Sequence, residues 1–210
     1  MKFTKLLFCQ MLEAALASIE TNLILLNRLD AATGDGDHGT AILAAMKAAA
    51  ASAKKDGTLS VTLETVGFDV MSGASGSTST LSGLFFTGMA GGITSEELDV
   101  DETITVFENG LANVRTMTKA QIGDKTLMDA LIPAIEAMNR FKGRTNTSFS
   151  EIFQAAAVAA QTGADSTKEL IAKHGRAKNL GERSRGHLDA GAVSTALIYA
   201  AYAEIVAKNM

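Results

Sequence analysis

The chain is poor in several residue types. Among 210 residues there is one proline, one cysteine, no tryptophan and only 5% aromatic side chains. The single Cys9 excludes an intramolecular disulfide framework and fits a reducing compartment. A basic excess is missing too: the formal charge is −4 and the sequence pI is about 5.4. With no dense Lys/Arg stripe and no aromatic platform for stacking bases, nucleic-acid binding is not expected. No uninterrupted apolar run reaches the roughly 18 residues of a membrane span. The start, Met1-Lys2-Phe3-Thr4-Lys5, has the charge of a signal n-region, but Gln10 and Glu13 soon break the apolar stretch. The expectation is a cytoplasmic, soluble protein with no membrane partner.

What is present is helix. Hydrophobic residues make up 47% of the chain, against disorder, and the length suits a single domain over 1–210. Leu12, Leu16, Ile19, Leu23 and Leu26 follow helical spacing, as do Leu127, Leu131, Ile135 and Met138, and Val193, Leu197, Ala201 and Ile205. The patterns predict helices over 3–29, 39–55, 61–73, 79–92, 96–117, 124–142, 149–174 and 191–208. Pro133 should kink the sixth of these or shift its start. Period-2 strands joined by hairpin turns are not evident. The expected fold is an all-α bundle with functional loops at one end.

The richest of those loops is Asp30-Ala31-Ala32-Thr33-Gly34-Asp35-Gly36-Asp37-His38-Gly39-Thr40. On an unbroken helix Asp30 and Asp35 would point apart, because five residues advance about 500°. Gly34 and Gly36 permit a tight non-helical path on which all three carboxylates converge. Converging carboxylates repel unless a cation neutralises them, and hard oxygen ligands suit Mg²⁺ or Ca²⁺. The helix beginning near His38 to Ala41 offers free N–H groups to an anionic phosphate beside that cation. Singly, each aspartate reads more readily as a loop or capping residue than as a functional one.

Two literal motif matches fail. Gly34, Gly36 and Gly39 satisfy G-x-G-x-x-G, but a helix rather than a strand precedes them. Asp35-Gly36-Asp37 opens like an EF-hand loop, but its twelfth position is Met46 instead of a bidentate Glu.

Three further breaks carry polar chemistry. The segment from Met71 to Thr80 is small and rich in Gly, Ser and Thr, which suits backbone contact with phosphate or a close helix contact. It lacks the Gly-Lys-Ser/Thr of a Walker A loop. Gly123-Asp124-Lys125-Thr126 reads weakly by itself: Asp124 as a helix cap, Lys125 as a solvated charge. The stretch from Gly175 to Gly191 gathers Arg176, Arg183 and Arg185 with Glu182 and Asp189. Arginine suits planar phosphate contacts, so one arginine is expected toward nucleotide and another holding the loop.

Together, Gly34-Asp-Gly-Asp-His-Gly39, the Gly/Ser/Thr-rich segment at 73–83, Gly123-Asp-Lys-Thr126 and Gly175-Arg176 through Gly191 resemble the nucleotide-binding L subunit of dihydroxyacetone kinase. The four segments occur in family order across most of the chain. The resemblance implies an eight-helix antiparallel barrel with ADP or ATP at one end. It implies two Mg²⁺ ions held by Asp30, Asp35 and Asp37 and bridged to the phosphates. His38, Gly39, Thr40 and Ala41 match the phosphate-proximal helix start, and Gly76, Ser77 and Thr78 match the phosphate loop. Leu127 falls where the family usually places a methionine against adenine, and Thr118 lies near another nucleotide contact. Arg176 and the Asp189-Ala190-Gly191 turn match the remaining contacts.

Two departures from the family pattern stand out. The family's Gly-Pro-Leu-Tyr-Gly reads Ser79-Thr80-Leu81-Ser82-Gly83, which bears on the surface facing the acceptor. The family's Asp-Pro-Gly reads Asp189-Ala190-Gly191, which lacks the rigid turn residue. Neither removes a metal ligand.

The implied activity is phosphoryl transfer to a short ketose held on a separate K subunit, as a covalent adduct with a histidine of that subunit. Two phosphate sources fit: bound ADP recharged by a phosphotransferase-system donor protein, or exchanging ATP. Acceptors that fit are dihydroxyacetone, glyceraldehyde or a four-carbon ketose. A regulatory module with the same site, signalling occupancy to a partner, is the alternative function. A helical bundle without nucleotide is the third.

Overall fold

The computed structural model describes residues 1–73, 76–93 and 95–209. The architecture is all-α. Helices α1 (Lys5–Thr21), α2 (Leu23–Ala31), α3 (His38–Ala53), α4 (Leu59–Gly73), α5 (Ser77–Ala90), α6 (Val100–Met117), α7 (Met128–Asn139), α8 (Phe149–Ser166) and α9 (Ala190–Lys208) follow in order. Leaving α2 aside, each of the other eight packs on the next, and α9 closes onto α1. The result is a closed ring of helices, with α2 as a further short helix seated mainly on α3.

Neighbours run antiparallel, as their contacts show. Between α1 and α3, Cys9 meets the carbonyl of Ala53 while Glu20 pairs with Lys47. Between α3 and α4, Ser52 bonds Asp69 while Ala48 lies beside Gly73. Between α5 and α6, Asn113 donates to the Leu84 carbonyl at 2.8 Å and Asn109 to the Gly91 carbonyl at 3.0 Å. The α4–α5 pair approaches closely because Gly67 faces Gly83. A Cβ on Gly67 would lie 2.7 Å from the Gly83 carbonyl oxygen, and one on Gly83 2.6 Å from that of Gly67.

Several boundaries differ from the sequence reading for local chemical reasons. The first expected helix breaks at Asn22 and bends by 61°. Asn22 bonds back with its side chain to the Ser18 carbonyl at 2.8 Å, competing with the helical ladder. The expected 96–117 helix starts at Val100, where Asp99 and Glu102 form a capping box. Just before it, Glu97–Leu98 pairs antiparallel with Phe3–Thr4 as a two-residue strand pair. The expected 124–142 helix starts only at Met128, and Pro133 is its sixth residue, inside the helix, where it offers no N–H to the Asp129 carbonyl. The expected 149–174 helix ends at Ser166 and tightens into a 3₁₀ turn at Thr167–Glu169.

The core is apolar throughout and centred on rings. Phe107 lies 5.5–6.4 Å, centroid to centroid, from Phe3, Phe85, Phe153 and Tyr199. The apolar N-terminal stretch contributes Leu7, Phe8, Met11 and Leu12 to it. Helix α9 is long and apolar enough by composition to cross a bilayer, yet it packs on α1, α7 and α8. Its expected single stripe is an underestimate: Ala192, Ser194, Ala196, Tyr199 and Tyr202 are buried on further sides.

Candidate functional site

In an antiparallel ring every second helix starts at the same end. Here α3, α5, α7 and α9 all begin around one cavity of about 530 Å³. Each helix start carries partial positive charge from its aligned peptide dipoles, so their convergence suits an anion. The loop after α2 supplies the opposite charge.

Asp30, on the last turn of α2, organises that loop. One carboxylate oxygen accepts from the backbone N–H groups of Gly36 at 2.8 Å, Asp37 at 3.0 Å and His38 at 3.4 Å. Gly36 makes the fold-back possible with φ +79°, a left-handed conformation that side chains disfavour. As a result, Asp30, Asp35 and Asp37 bring carboxylate oxygens within 4.8 Å of one another. Burial, and then the neighbouring Asp35 charge, push the Asp37 carboxyl above its usual range. Three hard donors in mutual repulsion fit a divalent cation such as Mg²⁺. Arg176 partly relieves the repulsion, pairing with Asp35 at 2.9 Å.

Of the expected site residues, Asp30, Asp37, His38, Ala41, Gly76, Ser77, Thr78, Thr118, Leu127, Arg176, Asp189, Ala190 and Gly191 line the cavity. Ala74 and Ser75 of the expected phosphate loop lie outside the described residues. Asp35, Gly39 and Thr40 do not line the cavity. Gly39 is buried against α2, where a Cβ would meet the Leu23 carbonyl at 2.5 Å. The Thr40 N–H donates to Asn27 Oδ1 at 3.0 Å. Asp189 caps α9, accepting from the Ala192 N–H at 2.8 Å, and desolvation raises its carboxyl to about 6.

The buried histidine was legible as a candidate, but its partners were not. His38 Nε2 lies 2.9 Å from Ser194 Oγ and Nδ1 lies 3.5 Å from Thr78 Oγ1. Burial lowers its tendency to protonate. The Gly-Asp-Lys-Thr segment also departs from expectation. Lys125 is 2% exposed rather than solvated, and its ammonium donates to the carbonyls of Thr167 and His187. Desolvation holds its pKa below the usual lysine range. Asp124 does not cap α7. It accepts from Lys173 at 2.8 Å and from the Gln121 N–H at 2.9 Å. The loop-closing acid is instead Asp129, fully buried, accepting from the N–H groups of Gly123 at 2.6 Å and Thr126 at 2.7 Å. An acid inside the apolar run Met128 to Ile132 was the signal that could have found it. In the C-terminal loop, Arg185 pairs with Glu182 at 3.3 Å, so one arginine faces the acidic loop and another ties its own segment.

Known proteins resemble this chain in sequence and in fold. Residues 32–204 match the DAK2 domain. The "PEP-dependent dihydroxyacetone kinase 2, ADP-binding subunit DhaL" of Listeria innocua is 36% identical over 184 residues, covering 85% of this chain and 84% of that protein. The corresponding ADP-binding subunit of Escherichia coli is 34% identical over 174 residues, covering 80% and 81%. The dihydroxyacetone kinase of C. freundii superposes with a TM-score of 0.72 at 27% identity. The match covers 96% of this chain and 34% of that kinase. That kinase has also been solved in complex with AMP-PNP and Mg²⁺, with a TM-score of 0.71 to this chain. A helical ring with an acidic loop at one end, a domain match spanning most of its length and these relatives lead to one conclusion: the chain belongs to the DAK2 domain family.

Proposed function

We propose that this chain is the nucleotide-binding subunit of a dihydroxyacetone-type kinase, built as one domain over 1–210 and working in the cytoplasm. The observation that carries the reading is a cluster of three carboxylates, two of which, Asp30 and Asp37, line the cavity where four helix N-termini meet. In this reading Asp30, Asp35 and Asp37 hold two Mg²⁺ ions. The ions supply charge neutralisation for a polyphosphate, and no covalent protein nucleophile is required. The starts of α3 and α5, at Ala41, Gly76, Ser77 and Thr78, form the phosphate end of the cavity, and the His38 ring braces that wall. Gly39 and Thr40 seat the start of α3 on α2. Leu127 and Thr118 take the base side of the cavity. Arg176, Asp189, Ala190 and Gly191 close the remaining wall.

The ketose sits on a separate K subunit in this proposal, and dihydroxyacetone is the acceptor favoured by the relatives' names. Relatives named as PEP-dependent and as PTS-dependent, each an ADP-binding subunit, support the branch in which bound ADP is recharged by a phosphotransferase-system donor. Calorimetry of ADP and ATP binding with and without Mg²⁺, together with nucleotide exchange rates, tests the reading. Tight, Mg²⁺-dependent ADP binding with slow exchange is expected. Rapid exchange of ATP would replace the bound-cofactor branch with a conventional ATP-using kinase. No nucleotide binding in either condition would overturn the assignment.

A further inference from the structure

We propose that Ser194 is a positioning residue for this site, holding His38 in the tautomer protonated at Nε2. The inference rests on the nucleotide-site reading above. Ser194 is 2% exposed, on the first turns of α9, and lies outside the cavity lining. It acts through the His38 ring, which stands between two hydroxyls, Ser194 at 2.9 Å and Thr78 at 3.5 Å.

The direction of the bonds follows from counting protons. A serine hydroxyl has one proton to donate. Ser194 Oγ lies 3.0 Å from the Gly191 carbonyl oxygen, which can only accept. With the serine proton on that carbonyl, the serine oxygen becomes the acceptor for Nε2–H. A neutral imidazole has one N–H, so Nδ1 keeps a lone pair and takes the Thr78 proton. The chain then runs in one sense, from Thr78 through His38 and Ser194 to Gly191. It joins the first turns of α5, α3 and α9, three of the four helix starts around the cavity. A ring held at both nitrogens cannot rotate away from the phosphate-facing wall, and the fixed tautomer sets which edge donates.

Two variants and one spectrum test this. The chain has three histidines, and His174 and His187 are exposed, so they serve as internal references for the buried ring. Long-range ¹H–¹⁵N spectra of ¹⁵N-histidine-labelled protein without nucleotide should show His38 with the proton on Nε2. Ser194→Ala should move His38 toward a mixture of tautomers. Ser194→Thr keeps the hydroxyl, and an adjoining apolar cavity of about 70 Å³ leaves room for its methyl group. It should keep the wild-type spectrum. Ser194→Ala should weaken Mg-ADP binding roughly tenfold, about the loss of one hydrogen bond, and Ser194→Thr should restore most of it.

A proton on Nδ1 in a wild type that binds Mg-ADP would overturn the role of Ser194 alone. So would Ser194→Ala with unchanged affinity. If Ser194→Ala does not fold, the wild-type and Ser194→Thr spectra still decide the tautomer. A wild type that binds no Mg-ADP would overturn the nucleotide reading itself, and the role of Ser194 in it.

Discussion

The two halves of the molecule are stabilised by opposite means. Around Phe107 the core is made of rings and aliphatic side chains that gain by leaving water, with one polar exception, the Tyr199 hydroxyl, which has no hydrogen-bond partner among the described residues. Around Asp30 the chain collects like charges, buried acids and a buried ammonium, each of which resists desolvation. The first region supplies stability that the second uses up. Like charges held close together repel one another, and clusters of this kind are candidates for cation or ligand binding.

Variants can separate the regions, from the largest expected effect to the smallest. Phe107→Ala removes a ring touching four others and should cost about 3–5 kcal/mol in denaturant titrations. Protein that remains folded should bind nucleotide as before, and a parallel loss of affinity would show that core and site are not separable.

Asp35→Asn should do the reverse. Mg²⁺-dependent ADP affinity should fall more than about tenfold, at least the effect of disturbing a ligand's supporting partner. Stability without ligand should hardly change, because the variant loses one exposed ion pair with Arg176 but relieves repulsion on Asp37. Unchanged affinity would remove Asp35 from the metal site.

Lys125→Met should fall between the two. It strips the donor from the carbonyls of Thr167 and His187, at a cost of about 1–3 kcal/mol. Amide exchange should quicken at Gly186 and Asp189, whose N–H groups bond Lys168 and Thr167 in the same junction. If exchange there is unaffected, the ammonium is not what joins these loops.

The subtlest effect is on pH dependence. The Asp189 carboxyl is raised in the folded chain from 3.8 to about 6, so the folded state holds its proton more tightly than the unfolded state does. Its contribution to stability is full below about pH 3.8 and is lost as pH rises to about 6. Asp189→Asn keeps a capping oxygen for the Ala192 N–H but cannot ionise. The stability difference between wild type and variant should therefore move against the wild type across that window. A constant difference would show that Asp189 is not desolvated.

Much of this was legible from residue order. Helical spacing placed most boundaries of the ring to within about four residues, although the 149–174 expectation overran the end of α8 at Ser166 by eight, and the glycines around Asp35 allowed three acids to converge. The misreadings share a cause. Lys125, Asp124 and Asp129 sit within six residues, and sequence alone does not say which acid or ammonium faces water. Burial decided it: the carbonyls of Thr167 and His187, 42 and 62 residues away, surround the lysine. The break at Asn22 was equally hidden, because the apolar stripe continues through it.

By itself, the sequence determined the kinds of group available: three acids on a glycine-hinged loop, a small polar loop and an arginine-bearing segment, separated by amphipathic helices. These are local properties, set by side-chain chemistry and helical period. The tertiary structure alone decided that the starts of α3, α5, α7 and α9 share one end of the ring and one cavity. That convergence comes from antiparallel closure of the ring, a property of how helices far apart in the chain pack together rather than of any segment within it.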